Sequence, residues 1–339
     1  MHYIGVDLHK NSITVCVMNE ERTILARKTL YCSQPDEILK FFRQWRPFKV
    51  VIEATAGYFW FVELIEALAE RVVLANPSKL RVIAESTKKT DRLDAQTLAE
   101  FLARDMIPEA HRPPLRQRQH RELVRHRQYI RGRMTSVRCK IRHILSNHNA
   151  DRKDLFSDQC GPAYLKEVKL SDAERFVIKQ LWSEYDYHFA RMTALTKKIK
   201  SFIGKAPKPE AEARKIIKTA PGVGMVTAEV VLSELGDVKR FRNAKAVCAY
   251  AGMVPRVRQT GGKKSKDLQI TKEGSGLLRW ALVETAWRVV NQSKKWEAFF
   301  SRLKKRSGHK RAIVAVARKL LYVLYAMLKT STPYKVITT

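Results

Sequence analysis

YIGVDLHKNSITVCVMNEERTILARKTL (3–30) is the stretch on which the fold turns. Residues 3–8, 12–18 and 24–30 are short β-rich runs separated by polar turns, a spacing that predicts a three-stranded meander. Downstream, a helix is expected after Pro35, then FKVVIEA (48–54), an apolar run of the kind found in buried parallel strands. A helix near 58–70, the strand RVVLAN (71–76) ended by Pro77, and helices near 78–85 and 91–104 complete the series. The order β-β-β-α-β-α-β-α is that of an RNase H-like α/β domain, assigned to residues 1–110.

Beyond residue 110 the composition changes. Residues 1–110 carry 15 Lys+Arg against 15 Asp+Glu, so the whole net charge of +32 lies in residues 111–339. A chain with that self-repulsion needs a polyanion to neutralise it, and nucleic acid is the expected partner. Residues 112–142 hold eleven Arg/Lys and one acid, Glu122, with apolar positions Leu123, Ile130, Met134, Val137, Ile141 and Leu145 at helical spacing. A second long helix is expected over 172–203, striped by Leu181, Tyr185, Phe189, Met192, Ile199 and Phe202. The pair predicts a basic helical hairpin or coiled-coil arm over 111–204. KAPKPEAE (205–212) reads as a charged linker, opening a mostly helical third part, 205–339. That part ends in a basic helical region, 288–319, and a frayed tail.

Five cysteines lie scattered without a CxxC pair, which excludes a zinc ribbon and a disulfide framework and suits a reducing, cytoplasmic setting. No apolar run reaches the ~18 residues needed to cross a bilayer, so no membrane role is expected.

Asp7 ends the first strand, Glu53 ends the fourth, and Asp91 and Asp94 open a helix. In the expected topology the two strands are neighbours, and four converging carboxylates would repel one another without cations. Hard oxygen donors suit Mg²⁺, and two such ions roughly 4 Å apart serve phosphodiester chemistry. Each acid taken singly also fits a turn or helix-cap role. His9, Lys10 and Tyr58 flank the site and read as solvated turn residues. GVDLHK (5–10) is also similar to the first phosphate loop of actin-like ATPases, but no second glycine-rich phosphate loop follows.

Three basic elements are candidate nucleic-acid contacts. Pro221-Gly222-Val223-Gly224, between two helical patterns, looks like a helix-hairpin-helix, in which Gly222 and Gly224 let backbone N–H groups approach a phosphate. Arg125, Arg131 and Arg138 represent the cationic faces of the first long helix; Arg, dominant there, suits bidentate phosphate contacts and A-form RNA. The loop 249–287 offers Arg256, Arg258, Gly261, Gly262, Lys263 and Lys264 around the hydroxyl of Thr260.

GVDLHK, IEATAGY, KTDRLDA, the PGVG turn and AYAGMVPRVRQTGGK…ITKEGSGLLRWALVE, in that order, resemble the insertion-sequence transposases of the "IS-one-ten" family over nearly the whole chain. The resemblance implies a RuvC-like DEDD domain with Asp7, Glu53, Asp91 and Asp94 as its acids, a coiled coil and a C-terminal transposase domain. It implies DNA strand cleavage and exchange between donor and target DNA, guidance by a structured bridge RNA in some members, and a homo-oligomer, dimer or tetramer. The carboxylates of one subunit would then meet the hydroxyl-bearing loop of another.

The family has a nucleophilic serine just before the glycine pair, where this chain has Thr260. Threonine keeps the hydroxyl and adds a methyl that restricts χ1, which fits a slower nucleophile, a natural variant or an engineered change. Ser265 and Ser275 lie nearby but out of register. Two other readings remain: a metal-dependent, junction resolvase-like nuclease using water, and a non-catalytic nucleic-acid-binding protein.

Overall fold

The computed structural model describes residues 1–55, 57–83, 91–157, 161–256, 259–260, 263–264 and 269–334, without the side chains of 81–83, 91–93, 259–260 and 263–264. The chain divides into two compact units, Met1–Arg112 and Pro113–Thr339, so the long helices share one unit with the C-terminal helices.

In the first unit the meander forms β1 (His2–Leu8), β2 (Ser12–Met18) and β3 (Ile24–Tyr31). There follow α1 (Pro35–Arg43), β4 (Phe48–Glu53), α2 (Phe59–Ile65), β5 (Arg71–Ala75), α3 (Pro77–Ile83) and α4 (Asp91–Ala103). The five strands make one mixed sheet in the order β3-β2-β1-β4-β5, with β1, β4 and β5 parallel. Strand alternation divides the side chains between two faces. Ile4, Val6, Val50 and Ile52 enter a core with Phe41 and Phe42 of α1 and Phe61 and Ile65 of α2. All four are fully buried, each contributing about 1.5–3 kcal/mol of apolar transfer.

The opposite face is covered by α4, through Ala95, Leu98, Ala99 and Leu102. Here Gly5 sets the distance. A Cβ on Gly5 would lie 2.0 Å from the Ala95 carbonyl oxygen and 2.5 Å from the Ala99 nitrogen, so α4 rests on bare backbone. Gly5→Ala should therefore push α4 off the sheet, destabilising the protein by roughly 1–3 kcal/mol. A denaturation midpoint equal to the parent's would show that the helix is not held this way.

The second unit contains α5 (Leu115–Asn147), α6 (Gly161–Glu167), α7 (Asp172–Gly204), α8 (Lys208–Lys218), α9 (Met225–Leu235) and α10 (Ala244–Tyr250). After these come the two-residue strands β6 (Gln259–Thr260) and β7 (Lys263–Lys264), then α11 (Gly276–Gln292), α12 (Lys294–Ser307) and α13 (His309–Thr330). The two long helices pack along each other. Val137, Ile141, Leu145, Ile178 and Tyr185 form their shared core. Phe189, expected in the α7 stripe, is instead 49% exposed. The start of α7 is fixed by a capping box, in which Ser171 Oγ accepts from the Glu174 N–H while the Glu174 carboxylate accepts from the Ser171 N–H.

The expected linker 205–212 is mostly helix. Pro209 sits in the first turn of α8, where its missing N–H removes nothing from the hydrogen-bond ladder, so proline starts this helix instead of ending one. The basic region 288–319 spans parts of three helices, and α13 is the core of the unit, with Leu320, Leu321 and Leu324 fully buried. Among the described residues no helix is long and apolar enough to cross a membrane. Cys16, Cys32, Cys139 and Cys248 are free thiols.

Candidate active site

The parallel register of β1 and β4 runs from His2 opposite Phe48 to Val6 opposite Ile52, so Asp7 and Glu53 occupy the next rung at the C-terminal edge. Because Val6 and Ile52 face α1 and α2, Asp7 and Glu53 point to the other face, the one α4 covers. Asp91 and Asp94 lie in the first turn of α4, respectively one turn and one residue before Ala95, which meets Gly5. Tyr3, two residues before Gly5, packs in the cluster that holds Leu98 and Leu102, toward the C-terminal half of α4.

Asp94 is exposed, and the Asp91 side chain lies outside the described residues. Among the described residues no three His, Cys, Asp or Glu side chains are close enough to hold one ion. The donor set itself, carboxylate oxygens alone, has the hardness that divalent oxygen-seeking cations require. His9 is not a plain turn residue: its Nε2 lies 3.0 Å from Asp7 Oδ2, and the Asp7 side chain is only 15% exposed. Tyr58, read as solvated, is buried in the sheet core and its ring centroid lies 4.2 Å from that of Phe59. A polar tyrosine beside an aromatic run gave no local sign of that.

Thr260 lies in a hairpin. Its partner across β6 and β7 is Lys263, and Gln259 pairs with Lys264, so residues 261–262 connect the two strands. Nearer the base, Pro255 bridges Ile270, and the Arg256 N–H donates to Gln269 O at 2.9 Å. The side chains of Thr260, Lys263 and Lys264, and all of Arg258, Gly261, Gly262 and Ser265, lie outside the described residues. Ser275 has a different task, since it is the N-cap of α11 and its Oγ accepts from the Leu278 N–H.

The base of this hairpin is fastened by residues whose roles local patterning does not reveal. Arg279 Nη1 donates to the carbonyls of Ala251 and Glu273, both at 3.0 Å. Gly252 and Gly274 have φ of +66° and +81°, and a Cβ on either would come within 1.9 or 2.1 Å of a carbonyl oxygen across the base. Only glycine fits both the left-handed backbone and the space.

The basic helix α5 is less solvated than its composition suggests. Arg125 grips buried Glu234 through two hydrogen bonds of 2.8 and 3.0 Å, while Arg121 donates to the Ser233 and Glu234 carbonyls. Arg131 stacks 4.6 Å over Trp280, and Arg138 lies 4.7 Å over Phe156. Gly222, with φ of +71°, makes the turn between α8 and α9 against Val289 and Arg288; Gly224 is the N-cap of α9.

Below these residues lies a buried ionic network. Arg214 donates to Glu229 at 2.7 and 3.0 Å and to Glu210 at 2.9 Å, Arg116 also binds Glu210, and His120 Nε2 is 3.0 Å from Glu229. Burial would raise the Glu229 pKa, but the contacts to His120 and Arg214 outweigh it and hold the carboxyl below the usual range; Glu210 is lowered in the same way by Arg116 and Arg214. Depressed folded values mean that this stability is complete above the unfolded carboxyl pKa of about 4.3 and is lost as pH falls through the folded values. Glu229→Ala should cost about 3–5 kcal/mol by leaving Arg214 buried beside a void. It should also flatten the acid limb of a midpoint-versus-pH series, and an unchanged limb would remove Glu229 from the acid response.

Comparison with known proteins finds relatives along most of the chain. A family model for DEDD transposases matches residues 4–150, and a second, described as the transposase IS116/IS110/IS902 family, matches residues 214–301. A probable family 20 transposase of Pseudomonas aeruginosa is 25% identical over 98% of both chains. The IS1111A transposase of Coxiella burnetii is 25% identical over 98% of this chain and 91% of its own. A pilin gene-inverting protein of Moraxella lacunata is 25% identical over 98% of this chain and 97% of its own. The first match spans the sheet with its carboxylates and the second spans the turn, the hairpin and its base, and the chain belongs to the IS110 family of transposases, which cleave and exchange DNA strands.

Proposed function

We propose that this transposase joins donor and target DNA through two chemical centres, the carboxylates Asp7, Glu53, Asp91 and Asp94 and the hydroxyl of Thr260. The observation that carries the proposal is the placement of Asp7 and Glu53 on one rung and one face of the sheet, beneath the helix that Asp91 and Asp94 begin. The packing of Tyr3 with Leu98 and Leu102 supports an α4 that runs antiparallel to β1, with its first turn at the Asp7 end. All-oxygen donors favour Mg²⁺, which would supply Lewis acidity toward a phosphate oxygen.

The chain's own part is to hold these acids at a fixed edge and to present a hydroxyl on a hairpin whose base is pinned by Arg279. Thr260 is assigned the nucleophile: its Oγ gives up its proton and bonds to phosphorus as the bond from phosphorus to one deoxyribose oxygen breaks, that oxygen leaves as a protonated strand-end hydroxyl, and the other strand end stays on a phosphothreonine link. Gly222, Gly224, Arg131, Arg138, Arg256, Arg258, Gly261, Gly262, Lys263 and Lys264 are assigned to nucleic-acid contacts. Arg125 is assigned there too, through the exposed part of a side chain whose guanidinium also holds Glu234.

The α8–turn–α9 element is read as a helix-hairpin-helix and the α5/α7 pair as a coiled-coil arm. Parts 111–204 and 205–339 would divide the holding of nucleic acid from the chemistry. A structured guide RNA and a homo-oligomer fit the Arg-rich helix and the charge excess. The decisive test is to stop the reaction in denaturant with labelled donor DNA and map any protein–DNA adduct. A link on the peptide containing Thr260 is expected; cleavage with no adduct would mean that water is the nucleophile.

A further inference from the structure

Where α5, α9 and α11 meet, a cavity of about 270 Å³ opens between Arg127, Arg131 and Arg288. Liquid water occupies about 30 Å³ per molecule, so the space holds a phosphate and part of its sugar but is small for a nucleotide with its base. The other wall is the start of α9, where Gly224 caps with no side-chain acceptor and the first backbone N–H groups have no partner within the helix.

The arginines here differ from their neighbours. Arg116, Arg121, Arg125 and Arg214 all hold acids or carbonyls, whereas the side chains of Arg127, Arg131 and Arg288 make no ion pair or hydrogen bond among the described residues. Arg127 Nε is buried without any partner. Burial and the nearby Arg131 both push its pKa down, as expected of a cation held beside another with no counter-ion. One acid, Glu284, lines the cavity but is not within 4.0 Å of any of the three guanidinium groups. Arg131 is held in place by its stacking on Trp280.

We infer that this cavity binds one backbone phosphate of a nucleic-acid strand, gripped by Arg127 and Arg131 and by the first N–H groups of α9, with Arg288 at the rim. Glu284 decides the charge class: it would repel a dianionic terminal or inorganic phosphate more than a singly charged diester. The inference rests on the reading that this chain acts on DNA, and it gives a chain-borne phosphate a fixed seat in the C-terminal unit.

The test is a salt titration of the full chain binding a labelled oligonucleotide. Each neutralised phosphate contributes about 0.9 to the slope of log affinity against log salt. Arg127→Gln/Arg131→Gln should bind at least tenfold more weakly at fixed salt and lose about 0.9 of slope, because both arginines hold the same phosphate. Lys304→Gln/Lys305→Gln, which removes two charges from exposed α12, sets the baseline.

A double variant indistinguishable from that baseline, or one losing about twice that slope, would overturn the single-phosphate seat. Displacement of the oligonucleotide by low millimolar inorganic phosphate, beyond the effect of sulfate at equal ionic strength, would overturn the chain-borne source. If the double variant does not fold, the exposed positions carry the test, Arg131→Gln and Arg288→Gln each being expected to weaken binding. Asp7→Asn should bind with the parent slope, so failure of the carboxylate centre and failure of this seat read out separately.

Discussion

Asp7→Asn is expected to abolish strand cleavage, by roughly 10²–10³-fold or more, while the protein stays folded and binds DNA as before. That range is what removal of one preorganised electrostatic contact costs an active site. The substitution is nearly isosteric and falls at a strand end whose neighbours, Val6 and Ile52, keep the sheet packed. The change is therefore one of charge. In the parent, Asp7 shares an edge and a face with Glu53 and lies 3.0 Å from His9 Nε2, so asparagine relieves the repulsion from Glu53 when no cation is present and keeps an amide oxygen to accept from His9. The melting temperature in chelator should be equal to or above that of the parent. With divalent cation the order should reverse, because a ligand at one hundred times its Kd stabilises the folded form by about 2.7 kcal/mol only where its site is intact. Melting curves in chelator and in Mg²⁺, read beside a cleavage assay, check both statements. A variant that cleaves within tenfold of the parent would dismiss Asp7 from the chemistry, whatever its melting behaviour.

What could be read from the sequence follows from what is local. The β-rich runs in 3–30 and the apolar run 48–54 are legible as strands because each signal lies within a few adjacent residues, and the order of elements then makes the strands that end in Asp7 and Glu53 neighbours. The closeness of α4 was not legible, since nothing in the strand 3–8 says that a helix some ninety residues on rests against the bare backbone of Gly5. The arginines of α5 show the same limit more sharply. Arg125 reads as a nucleic-acid contact, and Arg116 as one more cation of the same basic helix, because their acids, Glu234 and Glu210, lie about a hundred residues away and no window along the chain contains both partners. The contrast that isolates Arg127 and Arg131, paired neighbours beside unpaired ones, exists only after folding. At 205–212 the error ran the other way, because proline was read as a break where it begins a helix.

Thr260→Ala and Thr260→Ser should separate as widely as any pair in this chain: the alanine variant should lose strand exchange by roughly 10⁴-fold or more, and the serine variant should match or exceed the parent. Loss of a nucleophile that acts as part of a set removes nearly all the catalysis that the set provides, which fixes the scale. The hairpin makes the comparison clean. Thr260 is paired through the backbone with Lys263, and the base, where the Arg256 N–H donates to Gln269 O, is fastened by Arg279 and by the close approaches at Gly252 and Gly274. None of those contacts uses the Thr260 side chain, so alanine removes the hydroxyl and leaves the support. Serine keeps the hydroxyl, drops the methyl and frees χ1, which eases in-line approach to a phosphate. Strand-exchange rates for both variants, with adduct formation on denatured samples, provide the measurement. Alanine at parental rate would take Thr260 out of the reaction. Loss of activity in both variants would assign the position to a packing role of the methyl group, since only that group is absent from both.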